Sequence, residues 1–229
     1  TARLFGFSLS KNFDFPAYSK NIPEFWSKWH ITMTTWFRDY VYIPLMRWRR
    51  KGLYGTLNIF ILFFVIGFWH GPKWTFIAFG LINAALYILQ MQWMKRNFLK
   101  PEFIEGSIAS KIHLHSRIWS NYFLLMLVSV FFRAQTIDDA FTYLWTFFKP
   151  SNWWELDIIE SRILSVRFVF ILIAISLIWE FFQRHGEHAF EFQNEIFRSG
   201  PLRWGIYILC IWAIFQYRGV EMDFIYFQF

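Results

Sequence analysis

Residues 63–74 read FFVIGFWHGPKW, an apolar run that ends in a histidine, with a second apolar run beginning four residues later. The first run covers Leu53 to Trp69 and the second covers Trp74 to Met94. A helix needs about 17–25 apolar residues to cross the hydrocarbon core of a bilayer, and both runs have this length. The stretch therefore predicts a hairpin of two membrane-spanning helices with His70 in the turn.

Three further apolar blocks follow along the chain, at residues 118–132, 163–182 and 204–215. The first and the last of these are short for a span, so they would be tilted, re-entrant or packed among neighbours. None alternates apolar with polar residues as barrel strands do, and a helix satisfies its own backbone hydrogen bonds in lipid. We predict an all-α, polytopic transmembrane protein with four or five spans and additional interfacial or re-entrant helices.

The charge distribution predicts how the chain is oriented. Charged residues make up 17% of the sequence, against about 25% in typical soluble domains, and the net charge is +7. Basic residues cluster at 47–51 and at 95–117, on both sides of the predicted hairpin. The positive-inside rule makes that side cytoplasmic, so the tip of the hairpin, with His70, lies toward the far face or in a cavity on that side. Because the charges flank spans, we expect no nucleic-acid partner.

Residues 24–42, EFWSKWHITMTTWFRDYVY, carry apolar groups at helical spacing on two faces. This pattern predicts one interfacial or oblique helix, capped by Asn21 or Ile22 and ended by Pro44. Loops are predicted over residues 97–117, 134–162 and 183–203, with a short amphipathic helix at 138–148 inside the second of them.

Two histidines are the candidates for chemistry. Ionisable groups at membrane depth are costly and usually face a cavity or a partner, and a neutral imidazole takes up a proton near neutral pH. His70 could remove the proton of an alcohol that attacks an acyl carbonyl. His30 also follows a tryptophan, and it could orient or polarise a substrate. The ordinary alternative for each is a histidine hydrogen-bonded at the interface or within an aromatic cluster.

The other polar candidates have simpler alternative roles. Arg38 and Asp39 form either part of a polar wall or an ion pair with a neighbouring helix or a lipid headgroup. Asn83, inside the second block, suits an interhelical hydrogen bond or a tunnel wall. The histidine pairs at 113–115 and 185–188 lack both zinc-protease spacing and cysteine ligands, so we predict no metal site.

Five ordered blocks resemble the membrane-bound O-acyltransferase (MBOAT) family, in its bacterial branch of alginate, peptidoglycan and cellulose O-acetylases. They are LFGFSLSKNFDFP at 4–16, IPEFWSKWHITMTTWFRDYVYIPL at 22–45, GFWHGPKWTFIAFGLINA at 67–84, VFFRA at 130–134 and FIYFQF at 224–229. The sequence departs from the family pattern after YIPL, where Met46 begins a stretch that is usually Gly-Gly-Asn. It departs again at Pro72, where alanine is common, and at Thr32, where serine is common.

The resemblance implies a multi-pass enzyme of the inner membrane, about twice as long as this chain. Residues 1–229 would be the C-terminal portion of a single membrane-embedded domain, without its N-terminal half. His70 would be the catalytic histidine, acting as general base, and His30 the second motif histidine. Tryptophans could wall the tunnel and exclude water, although each fits packing or interface anchoring equally well: Trp26, Trp29, Trp36, Trp69 and Trp74.

The resemblance also implies the substrates. No bound cofactor is expected, and acetyl-CoA or another acyl thioester would be the donor, bound from the cytoplasmic side. The acetyl group would move toward hydroxyls of a cell-envelope polysaccharide such as alginate or peptidoglycan, usually through a separate periplasmic acetyltransferase partner. Two alternatives remain open: a membrane transporter whose histidines relay protons, and an inactive scaffold subunit of an acetylation complex.

Overall fold

The computed structural model describes most of the first 149 residues and parts of the remainder, namely 5–7, 9–48, 53–95, 106–149, 173–178, 180 and 199–217. These residues form helices, turns and connections without a strand, which confirms the all-α fold class. The chain divides into two compact units, Thr1–Ile159 and Glu160–Phe229. Both candidate histidines belong to the first unit.

Two short helices replace the single helix that was predicted over residues 24–42. Helix α1 covers Ile22–Lys28 and helix α2 covers Ile31–Phe37. His30, between them, has a backbone φ of 45°, an angle in the left-handed region that interrupts a right-handed helix. Asn21 is confirmed as the cap of α1, since its side chain accepts a hydrogen bond from the Glu24 amide at 2.8 Å.

Hydrogen bonds from the N-terminal segment stabilise the break between α1 and α2. The Asp14 amide donates to the Lys28 carbonyl at 2.9 Å, and the Ile31 amide donates to the Asn12 carbonyl at 2.8 Å. The Asn12 side chain also accepts from the Thr32 amide at 3.1 Å. The prediction of a continuous helix was wrong because helical periodicity carries no information about these distant partners.

Pro44 does not end the helical segment, contrary to the prediction. A π-helical turn at Arg38–Tyr42 follows α2, and helix α3 then covers Ile43–Trp48. Residues 31–48 are helical without a break, so Pro44 lies inside this segment, two residues after the π-helical turn. A proline inside a helix leaves a carbonyl of the preceding turn without its amide partner.

The hairpin that was predicted around His70 is present. Helix α4 covers Leu53–Trp69, helix α5 covers Trp74–Lys95, and residues 70–73 form the turn. By length and composition α5 could cross a membrane, whereas α4 is a shorter apolar helix. The two backbones pack closely at Gly67 and Gly80. A Cβ placed on Gly80 would lie 3.4 Å from the Cα of Gly67. Small residues allow such close helix packing.

Helix α1 is attached to α5 by polar and apolar contacts. The Ile22 amide donates to the Gln90 side chain at 2.6 Å, and the Trp26 indole N–H donates to the Asn83 side chain at 3.3 Å. Ile22 and Trp26 also belong to the buried core that includes Phe63 of α4. These contacts hold the segment that carries His30 against the hairpin that carries His70.

Helix α6 covers Ile108–Arg133 and helix α7 covers Ile137–Phe148. Residues 108–117 were predicted to be loop but are helical. Ser107 caps α6, and its side chain accepts from the Ser110 amide at 3.2 Å. Helix α7 confirms the predicted amphipathic helix, which begins with a capping box at Thr136.

In the second unit, residues 173–178 are helical and helix α8 covers Gly200–Tyr217. Helix α8 contains the fifth apolar block and includes residues 200–203, which were predicted as loop. Other predictions lie outside the described residues: most of the 163–182 block, the loops at 97–105, 150–162 and 183–198, and the C-terminal FIYFQF block.

Candidate active site

His70 is the first residue of the turn between α4 and α5. Its amide donates to the Gly67 carbonyl at 3.1 Å, which extends α4 by one tight, 3₁₀-type bond. Gly71 follows with a φ of 142° and is buried, a combination that favours glycine because a Cβ would be strained there. The turn thereby fixes the point at which the His70 side chain leaves the helix.

Aromatic rings from three helices surround the His70 imidazole. The ring centroid of Trp69 is 4.7 Å away and that of Phe132, on α6, is 4.9 Å away, both in edge-to-face geometry. The ring of Phe76, on α5, is 6.2 Å away. Offset and edge-to-face ring pairs each contribute about 0.5–1.5 kcal/mol, so these contacts restrict the orientation of His70.

His30 packs against the same tryptophan. Its ring centroid lies 6.3 Å from that of Trp69 and 5.9 Å from that of Phe13. The His30 Nδ1 atom is buried and has no hydrogen-bond partner among the described residues. Most buried polar atoms in proteins are hydrogen-bonded, so this nitrogen has an unused hydrogen-bonding capacity.

The backbone of His30 is also unusual. Only two residues other than glycine have a positive φ in the described part of the chain, Phe15 at 48° and His30 at 45°. Such conformations cost about 1–3 kcal/mol and are frequent at functional sites. At His30 this conformation turns the chain between α1 and α2, and the imidazole packs against Trp69.

Burial, and to a smaller extent the charge of His30, lowers the pKa of His70 below its ordinary value. Desolvation disfavours the imidazolium form, and a second cation nearby disfavours it further. A lowered pKa keeps the imidazole neutral at physiological pH, which is the state in which a ring nitrogen accepts a proton. The geometry and the protonation state both suit a general base.

The predicted tunnel tryptophans lie at different distances from the histidines. Trp69 contacts both imidazoles. Trp29 contacts Phe13 at 4.9 Å between ring centroids, and thus lies at the edge of the His30 environment. The ring contacts of Trp36 are with its own segment, Phe37 at 5.2 Å and Tyr40 at 5.1 Å.

The polar candidates are bonded to other protein groups, Arg38 and Asp39 to each other and Asn83 to groups of two helices. The Arg38 guanidinium donates to the Asp39 carboxylate at 2.8 Å, with both side chains exposed, so the pair forms within one segment. Asn83 is fully buried, and it donates to the Phe79 carbonyl at 2.9 Å while accepting from Trp26. These bonds fit the interhelical role of Asn83, and its place in a tunnel wall stays a prediction.

Three residues of this region were not singled out from the sequence: Phe13, Thr75 and Phe132. Phe132 lies in the VFFRA block, and the position of that block among the family motifs was the available signal. Thr75 follows the histidine motif directly, and only the structure reveals that its side chain is buried. Among the described residues there is no group of three or more His, Cys, Asp and Glu side chains that could hold a metal ion.

The MBOAT family model, which describes the membrane-bound O-acyltransferase family, matches residues 4–135. This segment is more than half of the chain, and it contains both histidines and the helices that position them. The chain therefore belongs to the membrane-bound O-acyltransferase family.

Three kinds of transferase are among the relatives of this chain. The chain is 30% identical over 179 residues to a probable alginate O-acetylase of Azotobacter vinelandii, covering 76% of this chain and 33% of the relative. It is 32% identical over 140 residues to a peptidoglycan O-acetyltransferase of Helicobacter pylori, covering 59% and 24%. It is 34% identical over 103 residues to a teichoic acid D-alanyltransferase of Bacillus subtilis, covering 41% and 26%. The chain thus spans about a third or less of the length of these relatives.

Proposed function

We propose that this protein is a membrane O-acyltransferase that moves an acetyl group from a cytoplasmic thioester to hydroxyls of a cell-envelope polysaccharide. The observation that supports this proposal is the meeting of the two motif histidines, His30 and His70, at Trp69 within the family-matched segment. A neutral His70 beside a second imidazole suits proton transfer during attack by an alcohol.

His70 acts as the general base in this proposal. The hydroxyl oxygen of the acceptor forms a bond to the thioester carbonyl carbon while its proton passes to the His70 imidazole. The tetrahedral intermediate then collapses, the carbon–sulfur bond breaks, and the thiolate recovers the proton from His70. His30 acts as a second polar group that positions the substrate or the first imidazole, and the tryptophans exclude the water that would hydrolyse the thioester.

The proposed setting is the inner membrane, crossed several times by a single domain of which residues 1–229 form part. In this proposal the chain crosses the membrane four or five times, and the basic clusters at 47–51 and 95–117 lie on the cytoplasmic side. Acetyl-CoA or another acyl thioester enters from that side. The His70 turn lies toward the outer face, where the acceptor polysaccharide or a periplasmic acetyltransferase partner receives the acetyl group. The family's membrane character and the apolar hairpin α4–α5 support this arrangement.

Acetyl is the proposed acyl group because the alginate O-acetylase match covers three quarters of the chain, whereas the D-alanyltransferase match covers less than half. The test compares cells that lack the gene with cells that carry the full-length gene. Base-labile acetate and ester-linked D-alanine are measured separately in purified peptidoglycan, in teichoic acid where the cells make it, and in secreted polysaccharide. Gene-dependent acetate in one fraction identifies the acceptor.

The same cells separate the proposal from its alternatives. If no fraction gains an ester, acyl transfer by this protein is refuted. A gene-dependent change in proton flux into membrane vesicles, without any change in esters, would instead support a proton-relaying transporter.

The pH dependence follows from the lowered pKa of His70. Histidine in water has a pKa of about 6.5, and a base with a lowered pKa stays neutral below that value. We therefore expect the acid limb of kcat/KM for acyl transfer to have its midpoint below pH 6.5. Initial rates of the full-length enzyme between pH 4 and pH 8 would measure it, and a midpoint above 6.5 would contradict the assignment of His70 as a desolvated base.

A further inference from the structure

The hydroxyl of Thr75 is a buried polar group with no internal partner. Thr75 is the second residue of α5 and is 2% exposed, and its Oγ1 atom has no hydrogen-bond partner among the described residues. Hydroxyls on helices commonly bond to a preceding carbonyl, as Ser120 and Ser129 do on α6. A buried hydroxyl without a partner is unfavourable, and a ligand that bonds to it would remove this cost.

The backbone around Thr75 offers further donors. The amides of Phe76 and Ile77 bond to the Lys73 carbonyl at 3.1 and 3.3 Å, whereas those of Trp74 and Thr75 bond to no backbone carbonyl of the described turns and loops. The first amides of a helix have no intrahelical acceptor, and the helix dipole favours negative charge at this end. The start of α5 can therefore stabilise an anionic oxygen with a hydroxyl and two amides.

These donors belong to the same turn as the candidate base. His70 opens the turn and Thr75 lies just beyond its end, with only the residues 71–74 between them. The His70 ring also lies 6.2 Å from the ring of Phe76, the residue that follows Thr75. A substrate carbonyl whose carbon is attacked beside His70 would thus have its oxygen near the N-terminus of α5.

We propose that the Thr75 hydroxyl and the first amides of α5 form the oxyanion-binding site for acyl transfer. This inference rests on the proposed function. When the acceptor oxygen bonds to the carbonyl carbon, the carbonyl π electrons move onto oxygen, and the α5 donors stabilise that charge while His70 takes the acceptor proton. On collapse the carbonyl re-forms, the carbon–sulfur bond breaks, and His70 returns the proton to the thiolate.

Two substitutions in the full-length protein test the role of Thr75. Thr75→Val keeps the shape of the side chain and removes the hydroxyl. Loss of one oxyanion donor typically lowers kcat by about 10²–10³, so we expect a loss of that size with an unchanged KM for the thioester. The thermal midpoint of unfolding is expected to stay the same or to rise, because an unpaired buried hydroxyl has been removed. Thr75→Ser is expected to restore most of the rate.

The change in kcat and the change in the thermal midpoint together distinguish a catalytic role of Thr75 from a structural one. A slow Thr75→Val enzyme that is also less stable, or that Thr75→Ser fails to rescue, would overturn the oxyanion assignment in favour of a structural role. Normal activity in Thr75→Val, beside inactive His70→Ala, would overturn this inference and leave the proposed function standing. Normal activity in both variants would refute His70 as the base, and with it the mechanism on which this inference depends.

Discussion

Replacing His70 by alanine is expected to lower the rate of acyl transfer by about 10²–10⁴ and to leave the helices folded. A positioned general base contributes about this factor, which corresponds to about 3–5 kcal/mol at 1.36 kcal/mol for each factor of ten. The His70 ring contacts Trp69 and Phe132 but lies in a turn, so its removal leaves the α4–α5 crossing intact. The measurement is the initial rate of acetate transfer from a thioester by the purified full-length protein.

A second histidine on the same unit provides the matched control. His115 is exposed on α6, where its Nδ1 contacts the Lys111 carbonyl at 2.8 Å. It precedes Phe132 by about 25 Å along the helix at a rise of about 1.5 Å per residue. His115→Ala is expected to keep the wild-type rate. If purified His70→Ala transfers acetate as fast as this control, His70 is not the base.

The α4–α5 hairpin could be predicted almost to the residue because its signal is local. Two apolar runs separated by His70, Gly71 and Pro72 predict two helices and a turn without reference to any residue distant in sequence. The same logic failed at His30, where the apolar spacing continues across the break. There the conformation depends on Asn12 and Asp14, which lie in the N-terminal segment. They form hydrogen bonds with the last residue of α1 and the first residues of α2.

The candidate site could be predicted only in part, because only part of its signal is local in the sequence. Residue type and the neighbouring tryptophans singled out His30 and His70 as candidates, and their roles stay predictions. Trp69, whose ring lies near both imidazoles, was only one of several candidate tryptophans. Phe132 reaches His70 from α6, and Thr75 becomes conspicuous only once its side chain is known to be buried. Contacts between elements distant in sequence are a property of the packing, which composition and periodicity do not encode.

Replacing Gly80 by alanine is expected to destabilise the α4–α5 hairpin severely. A Cβ on Gly80 would collide with the carbonyl oxygen of Phe63 and lie 3.1 Å from its carbonyl carbon. Because the obstacle is backbone, the clash can be relieved only by separating the helices. Overpacking a core usually costs about 1–3 kcal/mol, and this site belongs at or above the upper end. Gly67→Ala meets the Phe76 carbonyl in the same way.

The same helix supplies a control of opposite sign. A Cβ on Gly55, near the start of α4, meets no described atom within 4 Å, and alanine is a better helix former than glycine by about 0.5–1 kcal/mol. Gly55→Ala is therefore expected to be neutral or slightly stabilising. Thermal unfolding of the three full-length variants in detergent, with acetate transfer measured in parallel, tests the difference. Equal midpoints for Gly80→Ala and Gly55→Ala would contradict the close crossing, whereas a lower midpoint and lost transfer in Gly80→Ala and Gly67→Ala would show that this contact holds the His70 turn in place.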